Sequence, residues 1–342
     1  MKHIYFLGAG AWGTAMAMHA SKNKKRLPVT LWSRSAELAQ SIRATGFNQQ
    51  YLQDIQLPAE LLISSDWNQL FENCAQEDLL FIATPVSGLK ETVGQLLKLQ
   101  QVPKNWVWLC KGLEPKTSLM PHQVIARELS LASANDKGIQ TAVLSGPSFA
   151  SEVAKGMPCA LTVASDSNEL IAKVQDALHH GSMRIYGSND IIGVELGGAI
   201  KNVLAIATGI GDGLGLGLNA RAALLTRGLA EMMRLMTAMG GKSETAMGLT
   251  GVGDLILTAT GDLSRNRRVG LQLATGKKLP EILSHLGHVA EGVLCAQAVS
   301  DLAKSKGIEM PITHMVCEVL FKELDAATAV KLLMGRDAKS EA

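Results

Sequence analysis

Three glycines near the start of the chain have the spacing of a loop that binds a dinucleotide. Gly8, Gly10 and Gly13 follow a short apolar run and precede an alanine-rich stretch, which is a strand–turn–helix context. In such a loop the first glycine allows a tight turn, the second lets the backbone approach a pyrophosphate, and the third lets the helix pack against the strand. Free N–H groups at the helix start then face the phosphate charge. The alternative is a glycine turn without a ligand, and the context favours the dinucleotide.

The end of the second predicted strand indicates which dinucleotide would bind. Loops that prefer NAD carry an acidic residue at this point, about twenty positions beyond the glycines. Here the strand ends in Arg34 instead of a carboxylate. Because a guanidinium can bind a 2′-phosphate, the sequence favours NADP(H) over NAD(H). The alternative is an arginine that is only solvated at a strand end.

Lys201 lies on a predicted long helix beside two consecutive glycines. Gly197 and Gly198 precede it by four and three residues, which puts all three on one helix face. Glycine destabilises a helix, so the pair needs a reason. One reason is room for a ligand beside Lys201, where enclosure would disfavour an ammonium and suit the lysine to acid–base chemistry. The other is a surface lysine with glycines that serve helix–helix contact, and spacing alone slightly favours this second interpretation.

The segment 262–268 combines a helix start with three arginines. Ser264 is suited to be an N-cap, and Arg265 follows it directly. A guanidinium and a helix N-terminus together can bind an anion. Arg267 and Arg268, taken singly, are better interpreted as solvated members of a basic turn.

The histidines give no metal site. His285 and His288 have metal-ligand spacing, but no acidic or cysteine partner fits convincingly. We interpret them, like His179 and His180, as surface residues. We therefore predict that the protein uses no metal.

These residues need elements that position them, and the first half of the chain predicts a parallel sheet. Short β-rich runs alternate with helical patterns, which is typical of a sheet covered on both faces. Polar loops at 84–87, 111–114 and 145–150 follow three of these runs and would line a ligand crevice at the carboxyl edge of the sheet. The predicted strands are residues 3–7, 28–33, 78–83, 105–110, 140–145, 159–164 and 183–186.

The second half of the chain predicts only helices. From residue 189 the β pattern is almost absent, and helical patterns follow one another. We therefore predict a dinucleotide-binding α/β domain over 1–188 and an all-α domain over 189–342. The predicted helices of the second domain are residues 189–210, 219–239, 265–275, 291–306 and 312–322.

Composition excludes several classes of protein. A formal net charge of +2 and 4% aromatic residues over 342 residues argue against a nucleic-acid partner. Five cysteines without a CxxC pair are typical of reduced thiols in a cytoplasmic protein. Glycines interrupt the apolar start, so it does not predict a signal peptide. Charged residues interrupt the apolar stretch 191–218, so it does not predict a membrane span.

Several segments together resemble one family, the bacterial NAD(P)-dependent glycerol-3-phosphate dehydrogenases. They stand in the family's order, cover nearly the whole chain, and are far more specific in combination than singly. The segments are 8–15 (GAGAWGTA), 110–114 (CKGLE), 145–150 (SGPSFA), 195–203 (ELGGAIKNV), 251–254 (GVGD) and 264–268 (SRNRR).

The resemblance implies a Rossmann-type domain followed by a helical domain, and reversible reduction of dihydroxyacetone phosphate to sn-glycerol 3-phosphate in phospholipid synthesis. It implies a cytoplasmic protein, NADP(H) or NAD(H) as cofactor, and Lys201 as proton donor or acceptor. We also expect a homodimer without a membrane segment. The implied substrate-binding residues are Lys111, Gly146, Ser148, Lys201, Asp254, Ser264, Arg265 and Asn266. The implied cofactor-binding residues are Gly8, Gly10, Ala11, Trp12, Gly13, Arg34, Lys111, Ala150, Arg265, Val289 and Glu291.

Two other functions remain open from the residues alone. A related reductase with the same two domains could act on a hydroxy acid or sugar acid, because 264–266 could also bind a carboxylate. A dinucleotide-binding sensor without catalysis would leave Lys201 and its glycines unexplained.

Overall fold

The computed structural model describes residues 1–25, 27–132, 138–286 and 290–337. Two compact units divide the chain. The first consists of Met1–Lys111 and Leu119–Glu195, and the second of Gly112–Ser118 and Leu196–Ala342. This division differs from the predicted boundary at 188/189 in two ways. It falls later in the sequence, inside a helix, and the short segment Gly112–Ser118 from the first half of the chain belongs to the second unit.

The first unit is an α/β unit, and the strand before the three glycines is an inner strand of its sheet. Its strands are β1 (Ile4–Leu7), β2 (Val29–Trp32), β3 (Phe47–Asn48), β4 (Leu52–Gln56), β5 (Leu61–Ser64), β6 (Leu79–Ile82), β7 (Asn105–Trp108), β8 (Gln140–Ser145), β9 (Cys159–Ala164) and β10 (Met183–Ser188). Among the described residues, eight of them form one sheet in the order β10-β9-β8-β7-β6-β1-β2-β5. Every residue of β1, β2, β6 and β7 is buried, as expected where helices cover both faces.

Helices cover this sheet and close two apolar clusters. Phe6 and Phe81 stack in one cluster with ring centroids 4.6 Å apart, and Trp106 and Trp108 belong to the other. Neighbouring residues of a strand point to opposite faces, which explains why Phe6 and Leu7 contribute to different clusters. The helices are α1 (Ala11–Ser21), α2 (Ala36–Thr45), α3 (Val86–Leu97), α4 (Pro121–Leu131), α5 (Ala150–Ala154) and α6 (Asn168–Leu178).

The prediction of a wholly parallel sheet is wrong at one pair of strands. β8 and β9 are antiparallel, with Val143 opposite Ala164 and Ser145 opposite Thr162. The connection between them contains only the short helix α5. A parallel return needs a crossover long enough to carry the chain back along the sheet, and this connection instead reverses the chain.

The sequence also missed β3, β4 and β5, which lie between α2 and β6. β3 and β4 pair as an antiparallel hairpin, and β5 extends the sheet beside β2. β3 has two residues, and most of β4 is not buried. Strands this short and this exposed carry too weak an alternation of apolar and polar residues to be recognised.

The second unit is helical over its described residues. Its centre is α7, whose first residues belong to the first unit. α7 is the one described helix long and apolar enough to cross a membrane by length and composition, but 89% of its most apolar window is buried in the fold. A π-helical turn, Leu249–Gly253, leads into α10. The helices are α7 (Ile191–Gly213), α8 (Gly217–Ala238), α9 (Ser243–Ala246), α10 (Asp254–Thr260), α11 (Arg265–Ala274), α12 (Leu279–Leu286), α13 (Glu291–Ser305), α14 (Pro311–Phe321) and α15 (Ala326–Met334).

One of the histidines interpreted as surface residues is partly buried. The ring of His180 stacks on buried His19, near the end of α1, with centroids 4.1 Å apart. His19 Nε2 donates to the Leu178 carbonyl at 2.9 Å. Burial lowers the pKa of His180 and lowers the pKa of His19 to about 4. His179 and His285 are exposed, as predicted, and His288 lies outside the described residues.

We expect the free energy of unfolding to decrease as the pH falls from about 6.5 to about 4. Unfolded His19 takes up a proton near its ordinary pKa of 6.5, whereas folded His19 takes it up only near 4. The stability is thus complete above pH 6.5, and about 3 kcal/mol of it is lost by pH 4 through this residue. In urea unfolding, the free energy of unfolding of His19→Gln should decrease less over this pH range than that of the wild type. The exposed control His285→Gln should decrease as much as the wild type. An equal decrease in all three proteins would contradict the assignment.

Candidate active site

In the glycine loop between β1 and α1, main-chain atoms pack directly against one another. A Cβ on Gly13 would lie 2.0 Å from the Gly8 carbonyl oxygen and 2.9 Å from the Ala83 Cβ. Gly8 has a φ of +119°, which residues with side chains rarely adopt. The turn and the packing of α1 therefore both require glycine.

Gly10 is different, because nothing in the fold requires it. A Cβ there would meet no atom within 4 Å, and its backbone is extended, with φ −72° and ψ 176°. No side chain caps α1, and its first turn carries no acidic residue. Open space in front of uncapped N–H groups fits the pyrophosphate of a dinucleotide.

Some polar atoms at this loop are buried without a hydrogen-bond partner in the part of the chain that the structure describes. They include Trp12 Nε1 and Thr84 Oγ1 beside the loop and Asn48 Oδ1 beneath it. Thr84 follows β6, which pairs with β1, so Thr84 Oγ1 and Trp12 Nε1 lie near the same edge of the sheet. Unpaired buried polar atoms are uncommon in proteins, and they are expected where a ligand completes the site.

The other predicted cofactor-binding residues of the first unit also lie near strand ends or helix starts. Arg34 is exposed between β2 and α2, and because β2 pairs with β1 it lies at the same sheet edge as the glycines. Ala11 is the first residue of α1. Ala150 is the first residue of α5 and packs against the apolar core.

Three of the predicted substrate residues form one contact group in the first unit. β7 and β8 are adjacent parallel strands, so the loops that follow them meet. Lys111 Nζ donates to the Gly146 carbonyl at 2.9 Å, and Ser148 Oγ donates to the same oxygen at 3.1 Å. Gly146 has a φ of +137°, which favours glycine at this position.

The second unit contains a buried lysine held by two oxygens. Lys201 Nζ lies 2.7 Å from Asp254 Oδ1 and 2.9 Å from Thr258 Oγ1. The side chains of Lys201 and Asp254 are 8% and 0% exposed. The interpretation of Lys201 as a surface lysine is therefore wrong. A buried ammonium in a fixed position is suited to transfer a proton or to stabilise a negative charge.

Gly197 allows the close packing of helices that places Asp254 beside Lys201. A Cβ on Gly197 would lie 2.4 Å from the Thr250 carbonyl oxygen, so α7 touches the main chain of the π-helical turn. That turn ends where α10 begins with Asp254. Gly197 thus serves close packing, as one of the two interpretations of the sequence proposed, and it does not open space for a ligand.

The predicted anion-binding turn is a true helix start. Ser264 is the N-cap of α11, and its Oγ accepts a hydrogen bond from Arg267 N at 3.2 Å. Arg265 is exposed, and no hydrogen bond or ion pair holds its side chain among the described residues. The guanidinium and the helix N-terminus are adjacent, which is the arrangement expected for anion binding.

Asn266 fastens this turn to the helix that carries Lys201. Its Nδ2 donates to Asn202 Oδ1 at 2.9 Å, and its Oδ1 accepts from Gly292 N at 3.0 Å. Asn202 is the neighbour of Lys201 in α7, so Lys201 and the anion-binding turn are held together within the second unit. Glu291, the first residue of α13, precedes Gly292 and lies beside the same contacts. Val289 lies outside the described residues.

The interpretation of Arg267 as a solvated residue of the basic turn is wrong. Its side chain is 13% exposed and pairs with Asp212 at 2.9 Å, and Arg221 pairs with the same carboxylate at 2.7 Å. Arg268 is exposed and donates to the Asp262 carbonyl at 2.9 Å. Arg267 is thus part of an ion-pair network that links α7, α8 and α11.

Glu195 holds the start of α7 in the first unit. His122 N donates to Glu195 Oε1 at 2.9 Å, and His122 Nδ1 lies 2.5 Å from Oε2. Burial raises the pKa of the Glu195 carboxyl, and the contacts with His122 oppose the rise. This pair explains why the boundary between the units falls after Glu195.

Thr258 and Asn202 are site residues that the sequence analysis did not identify. Thr258 stands four residues after Asp254 on α10, so helical spacing would have placed it on the same face. The segment was not predicted as a helix because glycines and β-branched residues dominate it. Within the described ranges, no group of three or more His, Cys, Asp or Glu side chains is arranged to hold a metal ion.

Known proteins resemble this chain over its whole length. The NAD-dependent glycerol-3-phosphate dehydrogenase N-terminus family matches residues 3–171, and the C-terminus family of the same name matches residues 190–331. Glycerol-3-phosphate dehydrogenase (NAD(P)+) of Polynucleobacter asymbioticus is 64% identical over 340 residues, and that of Cupriavidus metallidurans is 57% identical, with 99% of each chain covered in both cases.

Solved structures give the same result. The crystal structure of glycerol-3-phosphate dehydrogenase from Coxiella burnetii has a TM-score of 0.90 and 40% identity, covering 98% of this chain and 99% of that one. Glycerol-3-phosphate dehydrogenase from Saccharomyces cerevisiae has a TM-score of 0.80 and 26% identity, covering 97% and 99%. The glycine loop, the buried lysine and the arginine-bearing turn at the start of α11 thus stand in a chain that belongs to the NAD-dependent glycerol-3-phosphate dehydrogenase family.

Proposed function

We propose that this oxidoreductase catalyses the reversible reduction of dihydroxyacetone phosphate to sn-glycerol 3-phosphate with NAD(P)H. The observation that carries the proposal is the buried Lys201 ammonium, oriented by a carboxylate and a hydroxyl. Reduction of a ketone needs a hydride at carbon and a proton at oxygen. Bound NAD(P)H supplies the hydride. Residues of this chain bind the substrate, orient it and transfer the proton.

Lys201 is the proton donor in the direction of reduction. Its ammonium stabilises the negative charge that develops on the substrate oxygen and then protonates that oxygen. In the direction of oxidation the amine takes the proton back. Asp254 and Thr258 hold Nζ at 2.7 and 2.9 Å, so the ammonium needs little reorganisation when the charge develops.

The phosphate of the substrate binds at the start of α11. Arg265 supplies a guanidinium, the Ser264 hydroxyl can donate a hydrogen bond, and the helix N-terminus attracts the anion. Asn266 supports them by holding the turn on Asn202. Binding a phosphate remote from the reacting carbon fixes the orientation of the ketone. Lys111, Gly146 and Ser148 are the substrate-binding residues that we propose in the first unit.

The cofactor binds at the carboxyl edge of the sheet in the first unit. Gly10 leaves space in front of α1 for the pyrophosphate, and Ala11, Trp12 and Ala150 stand beside that space or at the neighbouring helix start. We propose that NADP(H) is preferred, on the exposed guanidinium of Arg34 beside β2. We also propose Arg265, Val289 and Glu291 as cofactor-binding residues, on the resemblance of their segments to the family.

We propose that the enzyme acts in the cytoplasm, in the synthesis of glycerophospholipids. The product supplies the backbone of glycerophospholipids, and a cytoplasmic location suits five cysteines that form no disulfide among the described residues. We also propose a homodimer. Exposed Leu216 and Leu218, near the start of α8, are an apolar surface that a second copy could cover. Light scattering on the purified protein measures its oligomeric state directly.

An assay of NADPH oxidation tests the reaction. Oxidation should require dihydroxyacetone phosphate, and glyoxylate or a keto acid in its place should give little turnover. Turnover of the keto acid alone would identify a reductase of hydroxy acids. NADPH binding without any turnover would identify a dinucleotide sensor.

Arg34→Asp should reverse the preference between the two dinucleotides. The substitution replaces an attraction for the 2′-phosphate by a repulsion and offers an acceptor to the ribose hydroxyl of NADH. The ratio of kcat/KM for NADPH to that for NADH should decrease at least about tenfold. An unchanged ratio would show that the guanidinium does not contact the cofactor.

A further inference from the structure

Asn48 is a fully buried polar residue directly beneath the glycine loop. It ends β3, in the hairpin that joins α2 to β5, and its exposure is 0%. Its Nδ2 donates to the Ala9 carbonyl at 2.9 Å and to Thr14 Oγ1 at 2.9 Å. Because a carbonyl can only accept, the nitrogen of the side-chain amide must face Ala9. Both hydrogens of one amide group are therefore used on the loop and on the first turns of α1.

The contact with Ala9 fixes the direction of one particular N–H group. In a trans peptide the C=O and the following N–H point in opposite directions. The chain has no cis peptide bond among its described residues. With the Ala9 carbonyl held on buried Asn48, the Gly10 N–H points away from Asn48. Around Gly10 the fold leaves open space, since a Cβ there would meet nothing within 4 Å.

The glycine at position 10 makes this peptide easy to turn over. A flip of the Ala9–Gly10 peptide changes ψ of Ala9 and φ of Gly10, and glycine adopts positive φ almost as readily as negative φ. The flipped loop would point a carbonyl oxygen toward a bound anion in place of an N–H. The residue that lets a phosphate approach is thus also the residue that weakens the orientation of the loop.

We propose that Asn48 is a positioning residue for the cofactor, which locks the Ala9–Gly10 peptide with its N–H toward the pyrophosphate. The inference rests on the proposed binding of NAD(P)H at the glycine loop, and it assigns a purpose to the hairpin β3–β4. Asn48 does not touch the cofactor in this account. It acts by selecting the one orientation of the loop that attracts a phosphate.

Asn48→Asp is the sharpest test, because it keeps the size of the side chain and removes both donors. The ionised carboxylate can only accept, so it no longer holds the Ala9 carbonyl, and an alkaline pH is used because burial would raise the pKa of an aspartate at this position. Titration of NADPH fluorescence at pH 8 should give a Kd raised about tenfold, from the lost hydrogen bond and the freed peptide. With NADPH saturating, kcat should stay within about threefold, because Asn48 lies outside the reacting groups.

Asn105→Asp is the matched control. Asn105 is also a buried asparagine of the first unit, and its Nδ2 donates to the carbonyls of Asp78 and Gln76 at 3.2 and 3.3 Å. It begins β7, at the edge of the sheet opposite to the glycine loop. The same substitution there removes both donors and keeps the acceptor for Lys173 Nζ, and it should leave the Kd unchanged. An equal rise of Kd in both variants would show a general loss of stability and overturn the proposal, as would an unchanged Kd in Asn48→Asp.

Two further measurements keep the test decisive. Asn48→Ser, which retains one donor, gives the answer if Asn48→Asp does not fold, and its Kd should lie between those of wild type and a tenfold increase. In the wild type, the Gly10 amide should exchange its hydrogen rapidly without NADPH and slowly with it, and equal rates would contradict the proposed orientation. Failure of wild-type protein to bind NADPH would instead refute the proposed function.

Discussion

Lys201→Met should lower kcat for dihydroxyacetone phosphate by about 10²–10⁴-fold while the Kd of NADPH stays nearly unchanged. The methionine fills most of the volume of the lysine but can neither donate a proton nor stabilise a negative charge on the substrate oxygen. Loss of a positioned acid–base group has an effect of this size. Steady-state kinetics and fluorescence titration of NADPH measure the two quantities separately.

The same substitution also strips Asp254 of its partner, so its effect on stability has to be separated from its effect on catalysis. Breaking a buried ion pair from one side costs about 3–5 kcal/mol, and Asp254 is 0% exposed. The double variant Lys201→Met/Asp254→Asn removes the isolated charge and should recover most of the free energy of unfolding measured in urea. Its kcat should stay low. Recovery of kcat together with stability would show that Lys201 only supports the fold.

Arg265→Met should reduce kcat/KM for dihydroxyacetone phosphate by about ten- to a hundredfold or more. The guanidinium stands at the N-terminus of α11, where the side chain and the helix attract the same anion. A charge-assisted hydrogen bond contributes about 1.5–3 kcal/mol, which corresponds to a change of this size. Steady-state kinetics over a range of substrate concentrations give the value.

Two controls separate the phosphate from other causes. With dihydroxyacetone, which lacks the phosphate, Arg265→Met should change the slow residual rate very little. Arg268→Met replaces another exposed arginine of the same helix, one that donates to the Asp262 carbonyl, and should leave kcat/KM nearly unchanged. Equal losses with and without the phosphate would assign Arg265 to the cofactor or to the fold.

The fully buried strands of the first unit could be predicted because burial on both faces leaves continuous apolar runs. β1, with the sequence IYFL, is an example, and the turn chemistry after it identifies the loop. The orientation of β9 could not be predicted in this way. It depends on where a short connection lets the chain return, and the composition of β9 is the same for either direction.

Residues of the candidate site could be predicted where local backbone geometry requires one residue type. Gly8 and Gly13 are such residues, and Ser264 as an N-cap is another. The contacts of Lys201 with Thr258 and of Asn266 with Asn202 were not predictable, because the two partners of each pair lie far apart in the sequence. Asn266 finds Asn202 across 64 positions, and Lys201 finds Thr258 across 57. Local sequence patterns do not show such pairs. The resemblance to a known family implied Asn266 as a substrate-binding residue, and it did not show the contact with Asn202.

Helix α7 affects which chimeras of two related enzymes should fold. Its start, with buried Glu195, belongs to one unit and its remainder to the other, and Gly112–Ser118 is inserted from the middle of the first unit's sequence into the second. A chimera joined at 188/189 would give each half a foreign partner for Glu195 or for Leu113, both of which are buried. A chimera of two relatives joined at 188/189 should therefore be less stable than either parent, because contacts that cross the junction come from different parents.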